Sequence, residues 1–219
     1  MRKENLNLIP GNIDDVSAAG LPVAYLTAHM VLSLAGFQAG KTVLSPAIGG
    51  SIGNAVTQLA RALGARHAIS TTTSHAKAEH LSFDEVIDLS AGKLGEGVRR
   101  ITEGYGSDIV IDAVGGDILS EALGTLAMGG SLTTLGYSAG RKSTIDVTDL
   151  IWKRASIKSF SLFAQPPEMW STAWAAIFRL LESGAIQPIV ARTFALEDAA
   201  EALRYQIESR PFGRVVLKI

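Results

Sequence analysis

Residues 42–64 read TVLSPAIGGSIGNAVTQLARALG, and this segment carries the most information about the fold. Its first four residues form a short apolar run of the kind found in buried strands. A glycine-rich turn follows at positions 47–53. Residues 54–63 then carry apolar side chains at helical spacing up to Gly64, which is placed to end the helix. The stretch therefore predicts a strand, a glycine turn and a helix in direct succession.

The glycine turn has the spacing of a phosphate-binding turn. Gly50 and Gly53 lie three residues apart, as in the second half of G-x-G-x-x-G, whereas the first glycine is replaced, since Ala47 and Ile48 precede Gly49. A helix N-terminus offers unpaired backbone N–H groups and a partial positive charge, so a pyrophosphate can bind there if no side chain blocks it. The alternative is a tight turn that only packs helix against strand. We predict cofactor contacts at Gly49, Gly50, Ser51, Ile52 and Gly53.

Outward from this unit, strands and helices continue to alternate. Further strands are predicted at 67–70, 85–88, 108–112, 131–135, 157–162 and 215–217. Helices are predicted from Ser17 (as the N-cap) to 34, then at 74–80, 94–102, 118–126 (ended by Gly129 and Gly130), 170–181 and 197–208. Repeated strand–helix units imply an α/β fold, a Rossmann-type doubly wound parallel sheet with right-handed crossovers.

Composition excludes several classes of function. Of the 219 residues, 47% are apolar and 19% are charged, which is ample for a buried core, and a net charge of −1 argues against a nucleic-acid surface. No apolar run is long enough for a membrane span and no signal peptide opens the chain, so we expect a cytoplasmic protein. Because cysteine is absent and the four histidines show no metal-ligand spacing, we expect neither a thiol nucleophile nor a metal site.

The end of the second strand bears on the choice of dinucleotide. An acid there would bind the ribose 2′-hydroxyl and select NAD(H), but residues 69–77, ISTTTSHAK, contain none. Hydroxyl groups and a lysine could instead accept a 2′-phosphate, so NADP(H) is predicted over NAD(H). The alternative is a Ser/Thr cluster that caps a helix, and the two readings are compatible. The residues predicted to contact the phosphate are Ser70, Thr72, Thr73 and Lys77.

The ends of the fourth and fifth strands should complete the binding crevice, because ligands of open parallel sheets bind beyond the carboxyl ends of the strands. Asp112 is either structural or a ribose ligand. No residue is assigned a catalytic role, since the chain has neither a Tyr-x-x-x-Lys pair nor a Gly-x-Ser-x-Gly elbow. The crevice residues predicted here are Ala113, Val114, Gly115, Gly136, Tyr137 and Ser138.

Short motifs occur along almost the whole chain in a fixed order. They are LTA at 26–28, GKTVL at 40–44, GGSIG at 49–53, QLA at 58–60, LGA at 63–65, DEVID at 84–88, DAVGG at 112–116, GG at 129–130, LG at 135–136, FALEDAAEA at 194–202 and GRVVL at 213–217. In this order they resemble the medium-chain dehydrogenase/reductase superfamily, and within it the zinc-free quinone oxidoreductase branch.

The resemblance implies an NADP(H)-dependent reductase that passes hydride between the nicotinamide and a quinone, enone or other activated carbonyl. It implies that Thr27, Leu162 and Phe163 border the nicotinamide, although Leu162 and Phe163 could equally be ordinary core. It also implies a homodimer formed through the sheet edge at 157–162.

Members of this family normally have a β-rich catalytic domain before the glycine turn. By resemblance, residues 1–20 are a remnant or linker from it, 21–190 the dinucleotide-binding domain, and 191–219 the segment that returns to the largely missing domain, with apolar surface exposed. We therefore expect this chain alone to bind cofactor with little or no turnover. The alternatives are a non-catalytic NADP(H)-binding regulatory or sensor module and, with less support, a methyltransferase.

Overall fold

A six-stranded parallel sheet dominates the computed structural model, which describes residues 7–74 and 85–219. Its strands are β1 Thr42–Ser45, β2 His67–Thr72, β3 Val86–Asp88, β4 Ser107–Asp112, β5 Leu126–Thr134 and β6 Ser156–Ser159. They lie in the order β3-β2-β1-β4-β5-β6, and every pairing is parallel. The predicted doubly wound Rossmann sheet is confirmed. A separate parallel pair is formed by β7 Val190–Ala195 and β8 Arg214–Lys218.

Helices cover both faces of the sheet. They are α1 Asp15–Ala19, α2 Leu21–Leu34, α3 Ser51–Ala62, α4 Leu94–Ile101, α5 Gly116–Gly124, α6 Val147–Lys153, α7 Pro167–Glu182 and α8 Ala199–Ser209, with short 3-10 turns at Leu162–Ala164 and Leu196–Asp198. The predicted helix at 74–80 falls almost entirely outside the described residues. Helix α6 has no counterpart in the sequence prediction.

The core is divided by the sheet into two layers. Val43 and Ile109 point into the layer covered by α2, α3 and α7, whereas Leu44 and Val110 point into the layer covered by α4 and α5. Both faces of β1 and β4 are therefore buried, which explains why these strands are continuous apolar runs without alternation.

The chain order of the strands reverses at β1, which pairs with β2 on one side and with β4 on the other. Such a switch point opens a crevice beyond the carboxyl ends of the strands. The glycine turn after β1 and the loops after β4 and β5 all emerge at this edge, so the fold brings the predicted crevice segments to one place.

Two glycines predicted to end a helix lie inside a strand. Helix α5 ends at Gly124, and Gly129 and Gly130 belong to β5, whose pairing with β4 shifts register between Ser107 and Ile109. Gly129 has φ +75°, which an L side chain rarely adopts. The two glycines therefore serve an irregularity in the strand, which is the other common use of glycine in such patterns.

Three predicted boundaries of strands and helices differ from those in the structure. Strand β6 stops at Ser159, and Leu162 lies in the 3-10 turn that follows. Asp14, and not Ser17, caps the first helix, since its carboxylate accepts hydrogen bonds from the N–H groups of Val16 and Ser17. Helix α3 begins three residues earlier than predicted, directly after Gly50.

Within the described residues, no helix is long and apolar enough to cross a membrane. On the C-terminal helix α8, Leu203 and Ile207 are more than half exposed. Several other large apolar side chains on the surface are exposed as well. Apolar surface is thus present on the tail, as expected from the sequence.

Candidate functional site

The turn between β1 and α3 leaves the N-terminus of α3 without a side-chain cap. Gly50 is the N-cap residue, with extended backbone (φ −81°, ψ 154°), and the first turn of α3 contains no acidic residue. Uncapped N–H groups at a helix N-terminus bind anions, because their dipoles add to the positive end of the helix. The local geometry therefore suits a pyrophosphate.

Two of the glycines have different steric roles in this turn. A Cβ on Gly53 would lie 2.3 Å from the Ala47 carbonyl oxygen and 2.5 Å from that of Pro46, so only glycine permits this packing of helix on turn. A Cβ on Gly49 would meet nothing closer than the Phe212 ring at 3.7 Å. The space beside Gly49 is therefore compatible with close approach of a ligand, and the residues present fit a dinucleotide phosphate.

Thr71 holds the turn in shape and was not predicted from the sequence. Its hydroxyl accepts a hydrogen bond from Ala47 N at 2.9 Å, and its carbonyl accepts one from Ile48 N at 2.8 Å. Ala47 has φ +64°, a left-handed conformation that costs an alanine about 1–2 kcal/mol. The two bonds to β2 fix this conformation one residue before Ile48, which stands where the fingerprint would have its first glycine.

The hydroxyl groups at the end of β2 are not equivalent. Ser70 is fully buried and donates to the Ser45 carbonyl, so its side chain is taken up by the sheet and is not available to a phosphate. Thr72 accepts a hydrogen bond from Ser74 N at 3.2 Å, and Thr73 is exposed, whereas the helix that such hydroxyl groups could cap lies outside the described residues. Lys77 lies outside the described residues.

A carboxylate lies next to this strand end. Asp88, at the end of β3, is in register with Thr72. One of its oxygens accepts hydrogen bonds from the N–H and the hydroxyl of Ser90, at 2.9 and 2.6 Å. This carboxylate therefore organises the turn after β3.

The loops after β4 and β5 pack backbone against backbone. A Cβ on Gly136 would lie 2.3 Å from the Ala113 carbonyl oxygen, and one on Gly115, which has φ +70°, would lie 2.5 Å from that of Gly140. Ala139 N donates to the Val114 carbonyl at 2.8 Å. The predicted segments 113–115 and 136–138 are therefore brought together, as the switch-point argument requires.

Asp112 has a structural role in holding these loops. The residue is fully buried, and one carboxylate oxygen accepts hydrogen bonds from Val114 N at 2.9 Å and Gly115 N at 3.0 Å. The other oxygen accepts one from the Thr134 hydroxyl at 3.3 Å. Of the two roles that the sequence left open, the structure favours the structural one.

The residues expected around a nicotinamide fall into two classes. Thr27 and Leu162 are buried, and Leu162 belongs to the core layer under α2. Phe163 and Tyr137 are 82% and 68% exposed at the ends of adjacent strands, and the Arg141 guanidinium lies 5.6 Å from the centre of the Tyr137 ring. Phe163 and Tyr137 can therefore touch a ligand at this edge, whereas Leu162 is ordinary core.

The C-terminal segment covers the glycine turn from the other side. Gly213 N donates to the Gly49 carbonyl at 3.3 Å, the Phe212 ring lies beside Gly49, and an Arg214 guanidinium nitrogen lies 3.4 Å from the Ser51 hydroxyl. Sequence reasoning missed these residues, because they lie more than 160 positions from the turn and carry no motif of their own for it.

Two cavities accompany the site. A groove of about 220 Å³ between α2 and α7 is lined by His29, Met30, Ser33, Glu168, Met169, Thr172 and Ala173, and none of the predicted site residues line it. Burial lowers the pKa of His29 in this groove. A much smaller cavity adjoins Ser51, and among its lining residues burial raises the pKa of Tyr25. In the part of the chain that the structure describes, no three His, Asp or Glu residues cluster as metal ligands would.

Comparison with known proteins gives a consistent result. The sequence profile of the zinc-binding dehydrogenase family matches residues 51–179, more than half of the chain. A 2-haloacrylate reductase of Burkholderia sp. is 31% identical over 219 residues, and quinone oxidoreductase-like protein 2 of Bos taurus is 30% identical over 225. The matches cover 94% and 99% of this chain, but the chain spans only 64% of the length of either relative.

Solved structures agree with these relatives. An NAD-dependent alcohol dehydrogenase, 31% identical, superposes with a TM-score of 0.87 over all of this chain and 63% of its own. The mycobacterial protein Rv1454c, solved in complex with NADPH and also 31% identical, superposes with a TM-score of 0.84 over 96% of this chain and 68% of its own. A quinone oxidoreductase of Pseudomonas syringae pv. tomato DC3000, 28% identical, has a TM-score of 0.86 over 99% and 68%.

Proposed function

This chain belongs to the medium-chain dehydrogenase/reductase superfamily, on its quinone oxidoreductase-like branch, and from that premise we propose that it binds NADP(H) for zinc-independent hydride transfer to a quinone, enone or other activated carbonyl. Residues 21–190 form its dinucleotide-binding domain, and residues 191–219 are the segment that joins a catalytic domain. The nicotinamide ring, when bound, supplies the hydride, and the protein supplies position and electrostatics.

One observation carries the proposal, namely the uncapped N-terminus of α3 beside a turn that requires glycine at position 53. Gly53 lets the helix approach the Ala47 carbonyl, and Gly50 caps the helix without a side chain. The N–H groups that follow would hold the diphosphate. The exposed Tyr137 and Phe163 lie at the ends of neighbouring strands, where the nicotinamide half and the substrate would lie.

The preference for NADP(H) over NAD(H) rests on the end of β2. Residues 69–74 offer hydroxyl groups and no acid, and the acid beside them, Asp88, is engaged with Ser90. The exposed Thr73, with Lys77 beyond it in sequence, would take the 2′-phosphate. The Rv1454c complex with NADPH supports this choice, whereas the NAD-dependent neighbour keeps NAD(H) as the alternative to be tested.

Binding and turnover are proposed to separate in this chain. Asp112, the buried carboxylate at the strand ends, is engaged with the backbone N–H groups of its own loop and so has a structural role rather than a catalytic one. The crevice formed by the described residues should therefore serve mainly to bind the cofactor. The 219-residue chain should bind dinucleotide with little turnover.

The test is a calorimetric titration of the chain with NADPH, NADH and S-adenosylmethionine, followed by quinone-reduction assays. We expect NADPH to bind tightest, NADH more weakly and the methyl donor not at all. Preference for the methyl donor would overturn the oxidoreductase assignment, and preference for NADH would overturn the choice of cofactor. Quinone reduction at ordinary enzymatic rates would contradict the expected low turnover, whereas tight binding without turnover together with a partner-dependent effect would favour a sensor module.

We further propose a homodimer through the edge strand β6. All four residues of β6 are exposed, Ile157 among them, and Trp152 on the preceding helix α6 is 75% exposed. An open edge of this kind presents unpaired N–H and C=O groups to any second strand. A second copy of the chain would satisfy these groups.

A further inference from the structure

The groove between α2 and α7 lies apart from the dinucleotide crevice and is bordered by two pairs of polar side chains. On α2, His29 and Ser33 are four residues apart, and on α7, Glu168 and Thr172 are four residues apart. Side chains at this spacing lie on one face of a helix. The four polar side chains therefore face the same gap, one pair from each helix.

The floor of the groove is apolar. Met30 and Ala173 are each 1% exposed, and Met169 packs partly buried against the same core layer. The groove has a volume of about 220 Å³. Sites for drug-sized ligands have about 300–1,000 Å³, so this groove suits a smaller molecule, such as one with a single ring.

His29 offers the groove an imidazole that the protein itself does not use. Burial lowers the pKa of His29, and neither a hydrogen bond nor a neighbouring charge contributes to the shift. The ring is therefore neutral at neutral pH, with one nitrogen that donates and one that accepts. Within residues 7–74 and 85–219, neither nitrogen has a hydrogen-bond partner. A ligand group that donates a hydrogen bond could use the accepting nitrogen.

Glu168 gives the groove a negative charge. Among the described residues that line the groove, Glu168 alone is charged at neutral pH, and it forms no ion pair within that part of the chain. Helix α2 contains no Lys or Arg, and the one cation on α7, Arg179, lies eleven residues further on. At helical rise that separation is about 16 Å. The charge of the groove therefore complements a cationic ligand.

We propose that the groove between α2 and α7 binds a small amphipathic monocation, namely a protonated amine attached to one aromatic ring. The ammonium group pairs with Glu168 and donates a hydrogen bond to the His29 imidazole. The ring packs against Met30 and Met169, since thioether sulfur makes favourable contacts with aromatic rings. None of the predicted cofactor residues line this groove, so the site is independent of the proposed function.

The test is an NMR titration of the chain labelled at its methionine methyl groups. Benzylamine is the probe, benzyl alcohol has the same shape without the charge, and benzoate has the opposite charge. The methyl signals of Met30 and Met169 report on the groove. Met128, on β5 and 68% exposed, does not line the groove and is the internal control.

We expect benzylamine to shift the Met30 and Met169 signals saturably and to leave Met128 unchanged. The affinity should lie in about the millimolar range, as for other ligands of about eight non-hydrogen atoms. Benzyl alcohol should bind about threefold more weakly, because an ion pair with an exposed carboxylate contributes modestly to affinity. Benzoate should not shift the groove signals.

Three variants separate the parts of the site, and one is a matched control. Glu168→Gln removes the charge at an exposed position and should abolish the preference for benzylamine over benzyl alcohol. His29→Leu removes the acceptor and should weaken both ligands, since both donate a hydrogen bond. Ser33→Phe, also at an exposed position, fills the groove and should prevent binding of either. Glu182→Gln, at the far end of α7, does not line the groove and should bind like the parent. Thermal melts check that each variant is folded.

Several results would overturn the inference. Unchanged Met30 and Met169 signals in the parent, at benzylamine concentrations well above the millimolar range, would show that the groove binds no such ligand. Equal binding of benzyl alcohol or benzoate, or an undiminished preference for the amine in Glu168→Gln, would refute a cation site. Undiminished binding to a folded Ser33→Phe protein would place the ligand elsewhere. The dinucleotide titrations are a separate measurement, so either proposal can fail while the other stands.

Discussion

Gly53 shows how much of the glycine turn depends on a single missing side chain. Its hydrogen atoms face the carbonyl oxygens of Ala47 and Pro46, at distances that no Cβ tolerates. Ala47, by contrast, is an alanine in left-handed backbone, held there by Thr71. Position 53 therefore requires glycine because a Cβ has no space there. Position 47 has a backbone conformation that favours glycine, yet it is occupied by alanine.

Gly53→Ala should therefore damage both folding and binding. We expect a loss of about 2 kcal/mol or more in the free energy of unfolding, as for other overpacked sites, because backbone and not a flexible side chain must give way. Urea unfolding and NADPH titration would measure the two effects. Gly95→Ala is the matched control, since a Cβ there meets nothing within 4 Å in α4, and it should stabilise the chain by about 0.5–1 kcal/mol. Equal stability of the two variants would contradict the steric argument.

At the scale of secondary-structure elements, the crevice depends on how the ends of β4 and β5 are tied together. Asp112 ends β4, bonds the first N–H groups of its own loop, and reaches Thr134 on β5. The glycines that follow let the two loops touch. The element ends are thus positioned by one buried carboxylate and by close backbone packing.

Asp112→Asn should cost about 2 kcal/mol of stability, because the bonds from Val114 N and Gly115 N lose their charged acceptor and the amide nitrogen would face the Gly115 N–H, which lies 3.2 Å from the second carboxylate oxygen. It should also weaken NADPH binding, since segments 113–115 and 136–138 would shift. Chemical denaturation and calorimetry provide the measurements. Asp117→Asn, an exposed acid in the first turn of α5, is the control and should change stability by no more than about 0.5 kcal/mol. A tight-binding, fully stable Asp112→Asn protein would show that the carboxylate does not hold the loops.

The contact between α2 and α7 should make stability depend on pH through His29. Burial lowers the pKa of His29 below its ordinary value of 6.5. Between that lowered pKa and 6.5 the unfolded chain binds a proton that the folded chain does not, so this contribution to stability is present above pH 6.5 and is lost as the pH falls. Melting temperatures from pH 7 to 5 should therefore fall less steeply in His29→Gln than in the parent. Ser33→Ala, in the same groove, should keep the parent's slope, and identical slopes for all three proteins would refute the role of His29.

At the scale of the whole molecule, distant parts of the chain complete the site. Residues 212–214 cover a turn at 47–53, and Gln58 clamps Gln187 across 129 positions. The two-stranded C-terminal sheet is thereby held against the glycine turn. By contrast, all four residues of the edge strand β6 are exposed.

The proposed dimer can be tested by charging that edge. Ile157→Lys should shift the sedimentation profile from dimer toward monomer, because two copies of the edge would bring the new charges together. Leu203→Lys makes the same kind of change on α8, where the leucine is 62% exposed, and should leave the dimer intact. A parent chain that sediments only as a monomer at high concentration would refute the dimer.

Much of the fold could be predicted from short windows of sequence. The strands at 42–45 and 108–112, the glycine turn and the order of strands and helices all follow from apolar runs, from helical spacing and from glycine at helix ends. Residues whose structure depends on distant partners were predicted less well. Gly129 and Gly130 were misplaced because glycine ends helices and interrupts strands with equal ease, and only the pairing of β5 with β4 distinguishes the two uses.

The candidate site shows the same difference between features set by neighbouring residues and features set by distant ones. The glycine turn and the absence of an acid at residues 69–77 can be recognised from the sequence alone, since both depend on backbone and side chains within a few residues of each other. The burial of Ser70, the structural role of Asp112, the support of Ala47 by Thr71 and the approach of Arg214 to Ser51 arise from contacts across the sheet or from the far end of the chain. Such contacts depend on which strands become neighbours, and that is decided by the packing of the whole core around the parallel sheet.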